Sequence, residues 1–176
     1  MKKKLLIIPF ILFLSVLFTL FYLLIIDRNP SKLPSNLLDK KVPNFETKSL
    51  FKNENFISSN EFGNEIILVN FFATWCKPCR NEHVYIKRFS EEKGIRVVGI
   101  NYKDDTNNTI EWLKNLGNPY SDIPIDKNGN IAIDWGVYGI PETFIVNSNS
   151  IIKYRHVGPI TKEMYKKINS LIEAME

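Results

Sequence analysis

Residues 66–80 read Ile-Ile-Leu-Val-Asn-Phe-Phe-Ala-Thr-Trp-Cys-Lys-Pro-Cys-Arg. From Ile66 to Phe72 every residue but Asn70 is β-branched, aliphatic or aromatic, the composition of a strand covered on both faces and therefore central in its sheet. The only two cysteines of the chain, Cys76 and Cys79, follow that strand at once. Lys77 to Ser90 reads as a helix closed by Gly94, so the pair stands at a helix start. Downstream, Ile95 to Asn101 has the pattern of a second buried strand. Thr106 to Leu116 has that of a helix, with Gly117 past its end and Pro119 beyond. Thr143–Val146 and Ile151–Arg155 flank the turn residues 147–150, which predicts a hairpin. Met164, Ile168, Leu171, Ile172 and Met175 make one apolar stripe of a final helix starting near Thr161. One βαβ crossover, a late hairpin and a closing helix imply an α/β fold, a mixed sheet with helices on both faces.

The chain has 176 residues, 44% hydrophobic and 24% charged, which excludes a disordered polymer. Leu5 to Ile26 contains no charge, and as a helix it would span roughly 33 Å against a hydrocarbon core of about 30 Å. Bulky Tyr22 to Ile26 lead into Asp27, where a cleavable signal would place small residues. Residues 1–27 are therefore expected to be an uncleaved signal anchor that meets membrane lipid through residues 5–26. Lys2, Lys3 and Lys4 precede the helix, while Arg28 and Lys32 follow it, which favours a cytoplasmic N-terminus and a domain outside the cytoplasm. Pro30, Pro34, Ser31, Ser35 and Asn36 give residues 28–41 the composition of a short linker. The domain is then 42–176, and the 149 residues after Asp27 suffice for one core. Setting aside Lys2, Lys3, Lys4 and Asp27 takes 23 positive residues to 20 and 19 negative to 18, a net of +2. Nothing in that forms the basic stripe that nucleic acid requires.

A bridge across Cys-Lys-Pro-Cys closes so short a loop that stapling explains it poorly. Reversible redox chemistry explains it better. Unpaired N–H groups, the helix dipole, Lys77 and Arg80 all favour a thiolate at the outer cysteine, Cys76, as attacking nucleophile. Cys79, one turn inward, is placed to break the mixed disulfide, and Pro78 is tolerated because first-turn N–H groups lack partners. A zinc site from Cys76, Cys79, His83 and His156 lacks a second close pair of ligands. Haem attachment would need histidine where Arg80 stands, and a copper chaperone prefers wider spacing. Neither a cofactor nor a metal is expected.

Residues 67–80 resemble the active-site strand and turn of the thioredoxin superfamily. Further pieces narrow the likeness: residues 80–83 (Arg-Asn-Glu-His), 99–105 (Gly-Ile-Asn-Tyr-Lys-Asp-Asp), 116–120 (Leu-Gly-Asn-Pro-Tyr) and 135–144 (Trp-Gly-Val-Tyr-Gly-Ile-Pro-Glu-Thr-Phe). In that order they resemble the CcmG/DsbE family, membrane-anchored thiol:disulfide proteins of bacterial cytochrome c maturation. The resemblance implies a thioredoxin-like fold and a single-pass inner-membrane protein whose periplasmic domain is a disulfide reductase. It implies as partners apocytochrome c or a haem-ligation component, and a membrane electron donor of the DsbD/CcdA type. It further implies that Pro141 follows a cis bond and that Trp75, Ile140, Pro141 and Glu142 meet the substrate, with the Ile140 backbone pairing to an extended strand. A related anchored reductase for another client, or a non-catalytic module holding apocytochrome, are the alternatives.

Asn70 stands where cytoplasmic thioredoxins carry a buried aspartate, and Ile140 replaces a smaller residue. Cys76, Cys79, Glu82, Ile86 and Phe89 are spaced 3, 3, 4 and 3 apart and share one helical face, inward by virtue of Ile86 and Phe89. Glu82 then either lies at the stripe's edge, meeting solvent or a lysine, or exchanges a proton with Cys79 from partial burial, the role that the resemblance gives an acid here. Glu142 is a second candidate on the same cleft. Tyr102, Lys103, Asp104 and Asp105 read equally as specificity elements or as a solvated loop.

Overall fold

Residues 67–72 leave solvent no side from which to approach, and all six are buried. The structure is a computed structural model and describes residues 2–25, 36–51 and 56–175. Its elements in chain order are α1 (Lys2–Ile25), β1 (Glu46–Lys48), β2 (Phe56–Ser58), β3 (Ile67–Phe72), α2 (Lys77–Lys93), β4 (Arg96–Tyr102), α3 (Thr106–Leu116), β5 (Ile125–Asp126), α4 (Asn130–Asp134), β6 (Glu142–Val146), β7 (Ile152–Val157) and α5 (Lys162–Glu173). Two compact units result, Met1–Lys32 and Leu33–Glu176. In the first, Ile7–Ile25 is long and apolar enough to cross a membrane.

In the second unit the sheet order is β5-β4-β3-β6-β7. β3 runs parallel to β4 and antiparallel to β6, so the central position expected for residues 66–72 is what the sheet has. Alternate side chains sort to opposite faces. Leu68 and Phe72 join a cluster with Ile86 and Phe89 of α2, Trp112 and Leu113 of α3, and Ile168 and Ile172 of α5. Ile67, Val69 and Phe71 join Phe144 of β6, Trp135 and the short α4. Helices thus cover both faces. α2 runs three residues beyond Ser90, to Lys93, and Gly94 closes it at a φ of 67°, a left-handed value that favours glycine. β1, β2 and β5, of two or three residues, and the five-residue α4 are too short to show a periodicity in the sequence.

Of the expected linker, residues 28–35 lie outside the described residues, as do residues 1, 26 and 27 of the expected anchor. Asp39 N–H donates to Ile152 O at 2.8 Å, Ile152 N–H to Lys40 O at 2.9 Å, and Val42 N–H to Ser150 O at 2.9 Å. The stretch from Asp39 to Val42 is therefore bonded to the start of β7.

Gly99 faces the ring of Tyr120, and a Cβ there would stand 2.7 Å from it. Overpacking of this kind costs about 1–3 kcal/mol, so Gly99→Ala should lower the urea midpoint accordingly. An unchanged midpoint would mean that Tyr120 is free to move aside.

Candidate active site

Cys76 ends the β3–α2 turn with extended backbone (φ −84°, ψ 102°) and serves as N-cap of α2, its Sγ accepting from Cys79 N–H at 3.1 Å. Lys77 and Pro78 open the helix, where an N–H has no intrahelical partner, so the N–H that proline lacks is not missed. Cys76 and Cys79 are joined as a disulfide with a Cα–Cα distance of 5.3 Å, so the structure is that of the oxidised form. Cys76 Sγ also lies 3.7 Å from Ile140 O. The Ile140–Pro141 bond is cis. The β6 loop and the cysteine turn therefore meet at the sulfur.

Beneath the disulfide is a buried polar chain. Glu82 is 1% exposed, which excludes the edge-of-stripe reading. Asn70 donates from Nδ2 to Glu82 Oε1 at 2.8 Å and to Thr143 Oγ1 at 3.1 Å. The Tyr120 hydroxyl donates to Asn70 Oδ1 at 2.9 Å, and Ile160 N–H donates to Glu82 Oε2 at 2.8 Å. Burial pushes the Glu82 carboxyl up from 4.5 to about 8, against the opposing pull of the Ile160 and Asn70 donors. Burial, with Glu82 nearby, holds the Tyr120 phenol well above its ordinary value. Tyr120 therefore remains a donor, and that fixes which way the Asn70 amide faces.

Glu142 is elsewhere. On β6, Thr143 is registered with Asn70 and Glu142 with Phe71, so Thr143 shares the face of α2 and Glu142 points to the opposite one. There it is 0% exposed, its Oε2 2.7 Å from Arg155 Nε, whose side chain is 7% exposed, and its Oε1 accepts from Tyr138 N–H at 3.4 Å. The expectation that Glu142 acts on the same cleft as Glu82 is thus corrected by strand alternation. Trp75 is 60% exposed beside the disulfide, and Pro141 is buried behind Ile140. His83 Nε2 is bonded to Gly117 O and His156 Nε2 to Pro159 O, in two different loops. With both cysteines in the disulfide, the four residues of the zinc alternative do not form one ligand set.

Two participants, Tyr120 and Thr143, carry no role in the sequence reading, and a third, Asp104, stands there as either a specificity element or part of a solvated loop. Tyr120 and Thr143 orient Asn70, and Asp104 accepts from both the N–H and the hydroxyl of Thr74. Each lies inside a quoted family motif, yet motif membership shows no partner.

Comparison with known proteins agrees with this geometry. The Redoxin family model matches residues 37–172. Thiol:disulfide interchange protein DsbE of Escherichia coli strain K12 is 42% identical over 171 residues, 95% of this chain and 92% of the relative. DsbE of Haemophilus influenzae is 40% identical over 170 residues, 94% of this chain and 92% of the relative. Among solved structures, a DsbF homologue from Corynebacterium diphtheriae superposes with a TM-score of 0.69 at 20% identity, covering 84% of this chain and 96% of that one. A secreted thiol-disulfide isomerase from Corynebacterium glutamicum gives a TM-score of 0.70 at 20% identity, over 84% and 95%. These two likenesses establish the thioredoxin-like fold. With its cysteine pair bridged at the start of α2 and relatives of about 40% identity along nearly its whole length, the chain belongs to the DsbE family of thiol:disulfide interchange proteins and is a thiol:disulfide oxidoreductase.

Proposed function

We propose that this oxidoreductase works as a reductase in the periplasm, anchored in the inner membrane by α1, and that it opens disulfides between the haem-attachment cysteines of apocytochrome c. The observation that carries this reading is the layering of an N-cap Cys76, an inner Cys79 and a buried Glu82 along one helix face. In the reduced protein the Cys76 thiolate attacks one substrate sulfur, and the other leaves as a thiolate that takes a proton. Cys79 then gives its proton to the Glu82 carboxylate and attacks Cys76 Sγ. The second substrate thiolate is released, and two electrons have passed from the dithiol to the substrate. A carboxyl titrating at about 8 lies close to a thiol's ordinary value of about 8.5, so this transfer runs between near-matched groups. A membrane dithiol donor of the DsbD/CcdA type returns the electrons. The oxidising compartment makes such a reductase necessary, since it would otherwise close the attachment thiols.

Cys79→Ala in the full-length, membrane-bound protein tests the reading. Cys76 should stall in mixed disulfides with apocytochrome c or a haem-ligation component, identified by mass. Trapping only other clients would reassign the substrate, and no trapped species at all would remove the reductase reading.

A further inference from the structure

The loop from β4 to α3, residues 103–105, holds the two residues that precede the nucleophile. Asp104 uses both carboxylate oxygens on Thr74, Oδ2 accepting from its N–H and Oδ1 from its hydroxyl at 2.9 Å. The same carboxylate accepts from Asp105 N–H at 2.9 Å and from the Asn101 amide at 3.4 Å. One residue earlier, Lys103 O accepts from the Trp75 indole N–H at 3.2 Å, and the Trp75 ring stands 6.4 Å from that of Tyr102. The loop is itself fixed. Lys103 takes a left-handed φ of 45°, its N–H donates to Asp126 O at 3.0 Å, and Asp105 caps α3 through Asn107 and Asn108 N–H.

Trp75 therefore presents an open apolar ring next to Cys76 while its one polar atom is satisfied from within, the arrangement of a platform for an apolar or extended partner. A carboxylate holding both a backbone and a side-chain donor of the adjacent residue fixes the platform's height and tilt more firmly than either bond alone. We propose that Asp104, acting through Thr74, is a positioning residue that sets the Trp75 ring beside the Cys76 sulfur and so selects extended peptide disulfides over small ones. This rests on the reading of Trp75 as part of the substrate groove. It gives residues 102–105 a specificity role.

The test uses the full-length reduced protein in detergent micelles. The rate of oxidation is followed with two substrates, a synthetic peptide carrying an oxidised Cys-x-x-Cys-His segment and hydroxyethyl disulfide. In Asp104→Asn and Asp104→Ala the ratio of kcat/KM for the peptide to that for the small disulfide should fall about tenfold, chiefly through a higher peptide KM. Thr74→Val, which keeps the N–H and removes the hydroxyl, should give a smaller fall in the same direction and remains informative if an Asp104 variant folds poorly. Combining Asp104→Ala with Trp75→Ala should lower the ratio no further than Trp75→Ala alone. A parallel loss with both substrates, leaving the ratio within about twofold of wild type, would overturn the proposal, since loosening of the active-site turn alone predicts that outcome. Trp75→Ala with an unchanged peptide KM would sink the groove reading itself. A raised KM in Trp75→Ala but not in the Asp104 variants would sink only the role of Asp104.

Discussion

Glu82→Gln is expected to abolish the fall in stability between pH 5 and 9 that burial of this carboxyl should give the wild-type oxidised protein. The folded carboxyl titrates at about 8 against 4.5 in the unfolded chain. Between those values the folded state holds a proton that the unfolded state has lost, so stability is fully present below pH 4.5 and falls as pH rises through 8. At about 1.4 kcal/mol per pH unit, of the order of 4 kcal/mol is lost from pH 5 to pH 9. Glutamine has no proton to lose, so its denaturation midpoint should lack this fall and keep the rise up to about pH 6.5 that His83 and His156, both held below their ordinary value by burial, contribute. At pH 5 it should sit below wild type, because one amide cannot accept from both Asn70 and Ile160. The pH profile of thiol exchange should shift in the same variant. Glu91→Gln is the control, since Glu91 is exposed and paired only loosely with Lys87 at 3.7 Å. Parallel stability profiles for wild type and Glu82→Gln would mean that the buried carboxyl does not titrate in this range. An unshifted exchange profile would move the proton relay to water.

The second large effect is expected on the other face of the sheet. Arg155 donates to Glu142 and to Gly136 O at 2.8 Å, and its guanidinium lies 4.8 Å from the Tyr138 ring centroid. Arg155→Met takes from the fully buried Glu142 carboxylate its charged partner and leaves it the weaker 3.4 Å bond from Tyr138 N–H. Removing one partner of a buried pair costs about 3–5 kcal/mol, whereas replacing both charges can be close to neutral. Pairing Arg155→Met with Glu142→Gln should therefore regain most of the loss. Arg155→Lys should fall between, because lysine has no planar fork for Glu142 and Gly136 together. These comparisons are read from urea midpoints at pH 7. A single-variant loss below about 1 kcal/mol would mean that solvent reaches Glu142 once Arg155 is gone. The residues concerned flank the loop that delivers Ile140 to Cys76, so exchange with a peptide disulfide should weaken alongside stability.

What the sequence revealed followed its periodicities. β3 was legible because six consecutive residues are buried, and α2 and α5 because their apolar residues recur at helical spacing. The same spacing put Glu82 on the inward face with Ile86 and Phe89. Its partners left no local mark: Asn70 is 12 positions away, Ile160 is 78, and Tyr120 is 50 from Asn70. Glu142 shows the opposite failure. Motif resemblance put it beside Pro141 in the cleft, but one step along a strand reverses direction, and the face was decided by its register with Phe71. Asp104 stayed undecided between specificity element and solvated loop because a loop carboxylate facing solvent and one gripping a turn 30 positions away have the same sequence.

The bonds from Asp39 and Lys40 to Ile152 also set an order of events during synthesis. Lys153, which pairs with Asp39, is 114 positions away from it. At about 5–20 residues per second, a ribosome needs roughly 6–23 s to cover that distance. Throughout that interval the stretch from Asp39 to Val42 has been made while its strand partner does not yet exist. Closure of this flank belongs to the last stage of a vectorial process, after β3, α2 and β4 have all emerged. The newly made chain then depends on its central βαβ unit, which pairs Ile67 with Arg96 and is complete before β7 is made, to shelter apolar surface until β7 arrives.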